Sequence, residues 1–138
     1  MPFVLDASVV LAWLLPDEQS GTAERVITRL AEQERTLAPS LLLLEVGNAL
    51  LQAQRRARIP AATRLELLAA FTTLPILLEA ISAESMLRAG ALAQEHSLSL
   101  YDGCYLDLAA SRGCPLATFD RGLAKAARAA GVALLEDG

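Results

Sequence analysis

Short apolar runs alternate with longer stretches of helical periodicity along the chain. Five runs have the continuous apolar character of short buried strands, at residues 3–5, 36–38, 76–78, 116–118 and 132–135. Apolar residues at helical spacing predict seven helices between and after them, at residues 9–15, 20–33, 41–56, 60–73, 82–96, 101–112 and 123–130. Residues 98–100 fit either a strand or a loop. This alternation is typical of an α/β domain with a parallel sheet between helical layers.

Capping residues support several of these boundaries. Ser40 is placed to cap the third helix, and Pro60 suits the first turn of the fourth. Gly113 is a C-cap candidate after the helix at 101–112. With 138 residues and no visible repeat or linker, we expect a single domain over 1–138.

Composition narrows the functional classes. The chain is 54% hydrophobic, yet it contains no apolar run long enough to span a membrane and no visible secretory signal, so we expect a cytoplasmic protein with no membrane contact. The surplus of apolar residues favours a partner or a homodimer. A net charge of −4 argues against binding nucleic acid through bulk positive charge. Cys104, Cys114 and the single histidine, His96, argue against a zinc site, a disulfide scaffold or a histidine-based triad.

Four carboxylates are candidate functional residues because of their positions in the predicted elements. Asp6 ends the first strand, Asp120 follows the fourth, and Glu45 and Asp102 lie in helices. The three aspartates also suit helix N-caps, which remains an alternative for each of them. For Glu45 the alternative is a favourable interaction with the dipole near the helix N-terminus. It lies among apolar neighbours, however, and has no basic residue nearby to pair with it.

The four acids together are stronger evidence for a functional site than any one of them alone. The carboxyl ends of parallel strands share one edge of the sheet, so these side chains are expected to converge there. Converging carboxylates repel each other and raise one another's pKa unless a cation lies between them. Oxygen ligands of this kind suit Mg²⁺ or Mn²⁺, which can activate water against a phosphodiester. The set therefore predicts a metal-dependent hydrolase of phosphate esters.

Four sequence segments carry a resemblance to a known family. In chain order they read VLDAS at 4–8, LEVGNAL at 44–50, LYD at 100–102 and ATFD at 117–120. Together they resemble the acidic signature of PIN-domain ribonucleases. The length and the order of the motifs are most similar to VapC toxins of toxin–antitoxin pairs.

The resemblance implies a three-layer α/β/α fold and an endoribonuclease that depends on Mg²⁺ or Mn²⁺. It assigns the catalytic metal site and its polar support to residues that match the motifs: Asp6, Glu45, Asp102 and Asp120 as acids, with Ser8, Asn48 and Thr118 supporting them. It also implies homodimers and a cognate antitoxin that blocks the site and alone carries the pair to operator DNA. One departure from the family is Gly103-Cys104, where many relatives have Ala after Tyr-Asp.

Residues outside the motifs leave open alternatives. The run Arg55, Arg56 and Arg58 could contact RNA phosphates or form a solvated helix end. Asp107, five residues after Asp102, is expected to be a solvated charge. Further candidates for the cleft, for base stacking or for an antitoxin groove are Arg112, Arg121, Lys125, Arg128, Tyr101, Tyr105 and Trp13 with its leucine neighbours.

Two other functions compete with the nuclease. A receiver-like phosphotransfer domain also has an acidic pocket at strand ends, but it typically needs paired acids after the first strand and a Lys at a later strand end. In this chain Asp6 stands alone and the only Lys, Lys125, lies within a predicted helix. The second alternative is a catalytically silent binding module for an antitoxin-like partner.

Overall fold

A four-stranded parallel sheet forms the centre of the structure, a computed structural model that describes residues 2–32 and 35–135. Its strands are β1 (Phe3–Leu5), β2 (Thr36–Pro39), β3 (Ile76–Glu79) and β4 (Leu116–Ala117). Their order across the sheet is β3-β2-β1-β4, and every pairing is parallel. Because all strands run in the same direction, the chain leaves β1 and β4 at the same edge, side by side.

Helices connect successive strands. In the described residues they are α1 (Ala7–Leu14), α2 (Gly21–Ala31), α3 (Leu41–Arg55), α4 (Ala61–Thr72), α5 (Ala83–His96), α6 (Leu100–Arg112) and α7 (Arg121–Ala129). The predicted helices thus all form, with ends shifted by one or a few residues. The predicted end of the second helix, at residue 33, lies outside the described residues.

The sheet lies between two helical layers, as the three-layer expectation requires. One layer contains α1, α3 and α4, which pack on one another, with α3 also contacting β2. In the other, α6 packs across β1, β2 and β4 and pairs closely with α5. Strand β1 is buried throughout, so it contributes apolar side chains to both interfaces. β1 is thereby held inside the core, and Asp6 follows its last residue directly.

Three local predictions were wrong. Residues 132–135 form no strand but a single bridge between Leu134 and Leu116, after the chain turns at Gly131 (φ 78°). Ser40 precedes α3 without a side-chain capping bond, and Ser99 rather than Asp102 caps α6. For residues 98–100 the loop alternative holds at 98 and 99, and Leu100 already begins α6. In each case tertiary contacts decide between similar local conformations.

In residues 2–32 and 35–135, every helix is too short or too polar to cross a lipid bilayer.

Candidate active site

Asp6 is the most firmly held of the four acids. It follows β1 directly and is only 4% exposed. Its Oδ1 accepts hydrogen bonds from the Ser8 amide (3.0 Å) and the Ser8 hydroxyl (2.5 Å), and its Oδ2 accepts one from the Thr118 hydroxyl (2.6 Å). Asp6 therefore caps α1 and also anchors a polar network, so the capping alternative and the site prediction are compatible.

The network continues to the end of β4. The Phe119 amide donates to the Ser8 hydroxyl (2.9 Å), and the Asp120 amide donates to the Thr118 hydroxyl (3.0 Å). The Asp120 Oδ1 caps α7 by accepting from the Leu123 amide (2.9 Å), while its side chain stays exposed. Thr118 leaves the β4 ladder to make these bonds. These hydrogen bonds join the loops that follow two adjacent strands.

Glu45 lies on the other side of the site, in the first half of α3. It is partly buried, and the Tyr105 hydroxyl on α6 donates to its Oε1 at 2.6 Å. Tyr105 itself is 1% exposed, so of the two candidates for base stacking it is the one that is unavailable. Sequence reasoning missed this contact, although the lack of a partner for Glu45 was visible.

Asp102 lies in the first turn of α6, three residues before Tyr105. Next to it, Gly103 is required by packing, because an added Cβ would lie 2.5 Å from the Ala89 carbonyl oxygen of α5. The departure from the family pattern therefore coincides with a close approach of α6 to α5. The neighbouring Asp102 is partly exposed.

Electrostatics place the four acids in one region. Burial raises the pKa of Asp6 to about 6, against the opposing effect of its hydrogen bonds. Burial also raises the pKa of Glu45, assisted by the Asp102 charge and opposed by the Tyr105 hydrogen bond. The pKa of Asp102 is raised by burial and by the Asp120 charge. Like charges therefore repel from Glu45 to Asp102 and from Asp102 to Asp120.

Tyr105 lies at the centre of this arrangement. Its hydroxyl pKa is raised first by burial, then by its hydrogen bond to Glu45, and further by the charges of Glu45, Asp6 and Asp102. A single buried hydroxyl thus senses three of the four carboxylates. Asp6, Glu45 and Asp102 thus lie close enough to influence this hydroxyl, and Asp120 lies close enough to influence Asp102.

The donor chemistry suits a hard divalent cation. All candidate ligands are carboxylate oxygens, the donors that such an ion prefers. Arg58, Arg88 and Arg112 pair with other carboxylates, namely those of Asp17, Glu18, Asp107 and Glu79. As the side chains stand in the described residues, no group of three acidic, histidine or cysteine side chains is arranged to hold a metal ion. The acids therefore fit such an ion by type and charge, without yet forming its complete ligand shell.

The supporting residues behave differently from one another. Ser8 and Thr118 both contact Asp6 directly, as described above. Asn48 lies one turn beyond Glu45 on α3, where it is exposed, and among the described residues none is hydrogen-bonded to its side chain. The structure thus joins two of the three to the acid network and leaves Asn48 beside it.

Asp107 is not the solvated charge that the sequence suggested. It is 6% exposed, and its Oδ1 accepts hydrogen bonds from Arg88 Nε (3.0 Å) and the Ser111 hydroxyl (3.3 Å). The prediction was wrong because the close packing of α5 on α6 covers this face of α6 and brings Arg88 to it.

Other candidate residues have structural partners. Arg58 pairs with Asp17 and Glu18, which raises its guanidinium pKa, while Arg55 and Arg56 are exposed. Trp13 is partly buried and packs against the hydrophobic core. Of the remaining basic candidates, Arg112 forms an ion pair with Glu79. The other three are exposed on α7, namely Arg121, Lys125 and Arg128.

Comparison with known proteins agrees with this geometry. The family profile described as PIN domain matches residues 3–129. Ribonuclease VapC3 of Pyrobaculum aerophilum is 37% identical over 128 residues, which cover 91% of this chain and 94% of that protein.

Solved structures show the same fold at lower identity. VapBC2 of Rickettsia felis, bound to a DNA fragment from its promoter, aligns with a TM-score of 0.71, 15% identity and 98% coverage of both chains. VapC20 of Mycobacterium tuberculosis, a sarcin–ricin loop cleaving toxin, aligns with a TM-score of 0.69, 18% identity and coverage of 97% of this chain and 98% of that one. The chain belongs to the PIN-domain family, as a VapC-type member.

Proposed function

We propose that the protein is a metal-dependent endoribonuclease and the toxin of a toxin–antitoxin pair. The observation that carries the proposal is the hydrogen-bond network that joins Asp6 through Thr118 to Asp120 where β1 and β4 end. The mutual charge effects of Glu45, Asp102 and Asp120 support the inclusion of the two helix acids. The relative with 37% identity is named a ribonuclease, which supports RNA as the substrate. A receiver-like phosphotransfer function has no comparable support, because the family is a different one.

Asp6, Glu45, Asp102 and Asp120 are the proposed ligands of Mg²⁺ or Mn²⁺. When bound, such an ion supplies a more acidic water and offsets negative charge on the phosphate. Ser8 and Thr118 hold the Asp6 carboxylate in one orientation by donating to both of its oxygens. Tyr105 does the same for one oxygen of Glu45. Such hydrogen bonds keep ligands oriented and reduce the cost of assembling the site.

The proposed partner is an antitoxin that covers the acids. Large apolar side chains immediately precede three of the four acids and are exposed, namely Leu44 (78%), Tyr101 (62%) and Phe119 (39%). Such a rim suits a protein partner as well as a substrate. A structural neighbour was solved as a VapBC pair on promoter DNA, which supports a partner protein that carries the pair to operator DNA. Homodimer formation, the membrane-free cytoplasmic location and a single domain over 1–138 are proposed on the same family basis.

The test is cleavage of total RNA by the purified chain with Mg²⁺, with Mn²⁺ and with chelator. We expect discrete fragments that vanish with chelator and in Asp102→Asn. The control is Asp17→Asn, which removes an exposed acid outside the site and should cleave as the wild type does. No cleavage, together with no Mg²⁺ or Mn²⁺ binding by calorimetry, would contradict the proposal and leave the catalytically silent binding module.

A further inference from the structure

A cavity of about 230 Å³ opens between the α5–α6 pair and the ends of β2 and β3. Its polar lining includes Glu79, Ser85, Arg88, Asp107 and Arg112, and Ile81 and Leu108 are among its apolar walls. None of the four proposed metal ligands lines it. It is therefore a separate feature from the acid site.

One wall of the cavity contains a buried charge. Asp107 is 6% exposed and receives two hydrogen bonds from Arg88, at 3.0 and 3.4 Å. Taking a carboxylate out of water costs several kcal/mol, and apolar side chains of similar size hold two helices together at least as well. Stability alone thus gives little reason for this pair. A role in recognising a ligand would give one, because Arg88 is half-exposed and keeps N–H donors free of Asp107.

The cavity adjoins the proposed metal ligands. Pro39 and Glu79, the last residues of β2 and β3, line the cavity, so it opens at the same edge of the parallel sheet at which Asp6 and Asp120 follow β1 and β4. Cys104 on α6, the helix that also carries Asp102, lines the cavity as well. A polymeric substrate bound at the acids is therefore able to place a neighbouring residue of its own chain in the cavity.

The balance of charges indicates what that unit is. The lining has two guanidinium groups and two carboxylates, and they pair as Arg88 with Asp107 and Arg112 with Glu79. A cavity whose charges already cancel attracts a phosphate weakly. Its hydrogen-bond donors and acceptors, set between apolar walls, suit an uncharged planar base, and Arg and Asp are side chains that read base edges.

We propose that this cavity binds one nucleobase of the RNA, on one side of the bond that is cleaved, and so contributes to sequence specificity. This inference rests on the proposed function and adds a specificity site to it. Arg88 and Asp107 are the recognising pair, and the apolar walls accommodate the faces of the base.

The test compares cleavage of an RNA pool of random sequence, with sequencing of the cleavage junctions and kcat and KM on the best substrate. The variant is Arg88→Met combined with Asp107→Leu, which replaces the whole ion pair by apolar groups and leaves no unpaired charge. The matched control is Arg58→Met with Asp17→Asn, which removes an exposed pair elsewhere with the same zero change in net charge.

We expect the wild type to prefer one base at one flanking position, and the cavity variant to lose at least about fivefold of that preference. Its KM should rise more than its kcat falls, while the control keeps the wild-type profile. The more conservative Arg88→Lys retains the charge but loses the two-pronged donor, so it should relax the same position by a smaller factor.

An unchanged junction profile and KM in the folded double variant would overturn the assignment of the cavity and leave the nuclease intact. If circular dichroism shows that the double variant does not fold, the junction profile and KM of Arg88→Lys are used instead, and unchanged values overturn the assignment. A wild type that cleaves without any base preference also overturns the cavity assignment alone. A wild type that cleaves no RNA overturns the proposed function, and this inference with it.

Discussion

The two halves of the acid site are built differently. On the strand side, Asp6 and Asp120 are held by hydrogen bonds from backbone amides and from Ser8 and Thr118. On the helix side, Glu45 accepts a hydrogen bond from Tyr105, and the pKa of Asp102 is raised by burial and then by the charge of Asp120. The strand half is thus fixed by hydrogen bonds between the two loops that follow β1 and β4. The helix half carries like-charge repulsion, which a bound cation would offset.

The largest expected effect is on activity. In Asp102→Asn the carboxylate that lies between Glu45 and Asp120 in the chain of repulsions is lost. We expect cleavage to fall by more than about 100-fold, beyond the loss typical of a residue that only orients a ligand. Single-turnover cleavage of a defined RNA measures this, and retention of a tenth or more of the wild-type rate would contradict a ligand role for Asp102.

The second prediction concerns stability, which the substitution Asp6→Asn should increase rather than reduce. Its folded-state pKa of about 6 lies above the ordinary 3.8, so its stabilising effect is fully present below pH 3.8 and is lost as pH rises through 6. Without metal, Asp6→Asn should therefore raise the free energy of unfolding at pH 8 by up to roughly 3 kcal/mol, since Asn also caps helices well. Urea unfolding at pH 4 and pH 8 measures the difference.

Asp17 provides the contrast for this pH experiment. Its pKa is lowered, first by the hydrogen bond from Arg58, so its contribution is present at neutral pH and lost as pH falls. Asp17→Asn should therefore not stabilise the protein at pH 8. If Asp6→Asn and Asp17→Asn changed stability alike, burial of Asp6 would not be the cause.

Two conservative variants separate the two halves directly. Thr118→Val removes the hydrogen bond to Asp6 Oδ2, and Tyr105→Phe removes the one to Glu45 Oε1. Each should weaken Mn²⁺ binding by about 10- to 100-fold, as losses of ligand-orienting partners do. We expect the larger loss for Tyr105→Phe, because Glu45 has no second donor while Asp6 keeps Ser8. The exposed Tyr101→Phe is the matched control and should leave Mn²⁺ affinity unchanged. Equal affinities in all three variants would contradict the comparison.

The sequence predicted the strand half of the site better than the helix half. Asp6 and Asp120 follow short apolar strands, and parallel strands end at one edge, so their proximity follows from the order of elements. The partner of Glu45 did not follow, because the position of Tyr105 depends on how α6 crosses the sheet. Asp107 was misjudged for the same reason, since Arg88 reaches it only through the packing of α5 on α6.

The fold shows the same division between local and distant information. The helices were predicted from their periodicity and the four strands from short apolar runs, and both signals are local. The bridge at Leu134 and the cap at Ser99 were not, because each competes with a similar local conformation and is decided by neighbours distant in sequence. Boundaries and polar partners therefore required the structure.

The most direct test of the central claim is calorimetric titration of the partner-free protein with Mn²⁺ in parallel with Glu45→Gln and Asp120→Asn. If the four acids form one cation site, the wild type binds Mn²⁺ and both variants lose affinity, although they change opposite halves of the site. Wild-type affinity in both variants, or no binding by the wild type, would show that the converging carboxylates do not act together, and the claim would be wrong.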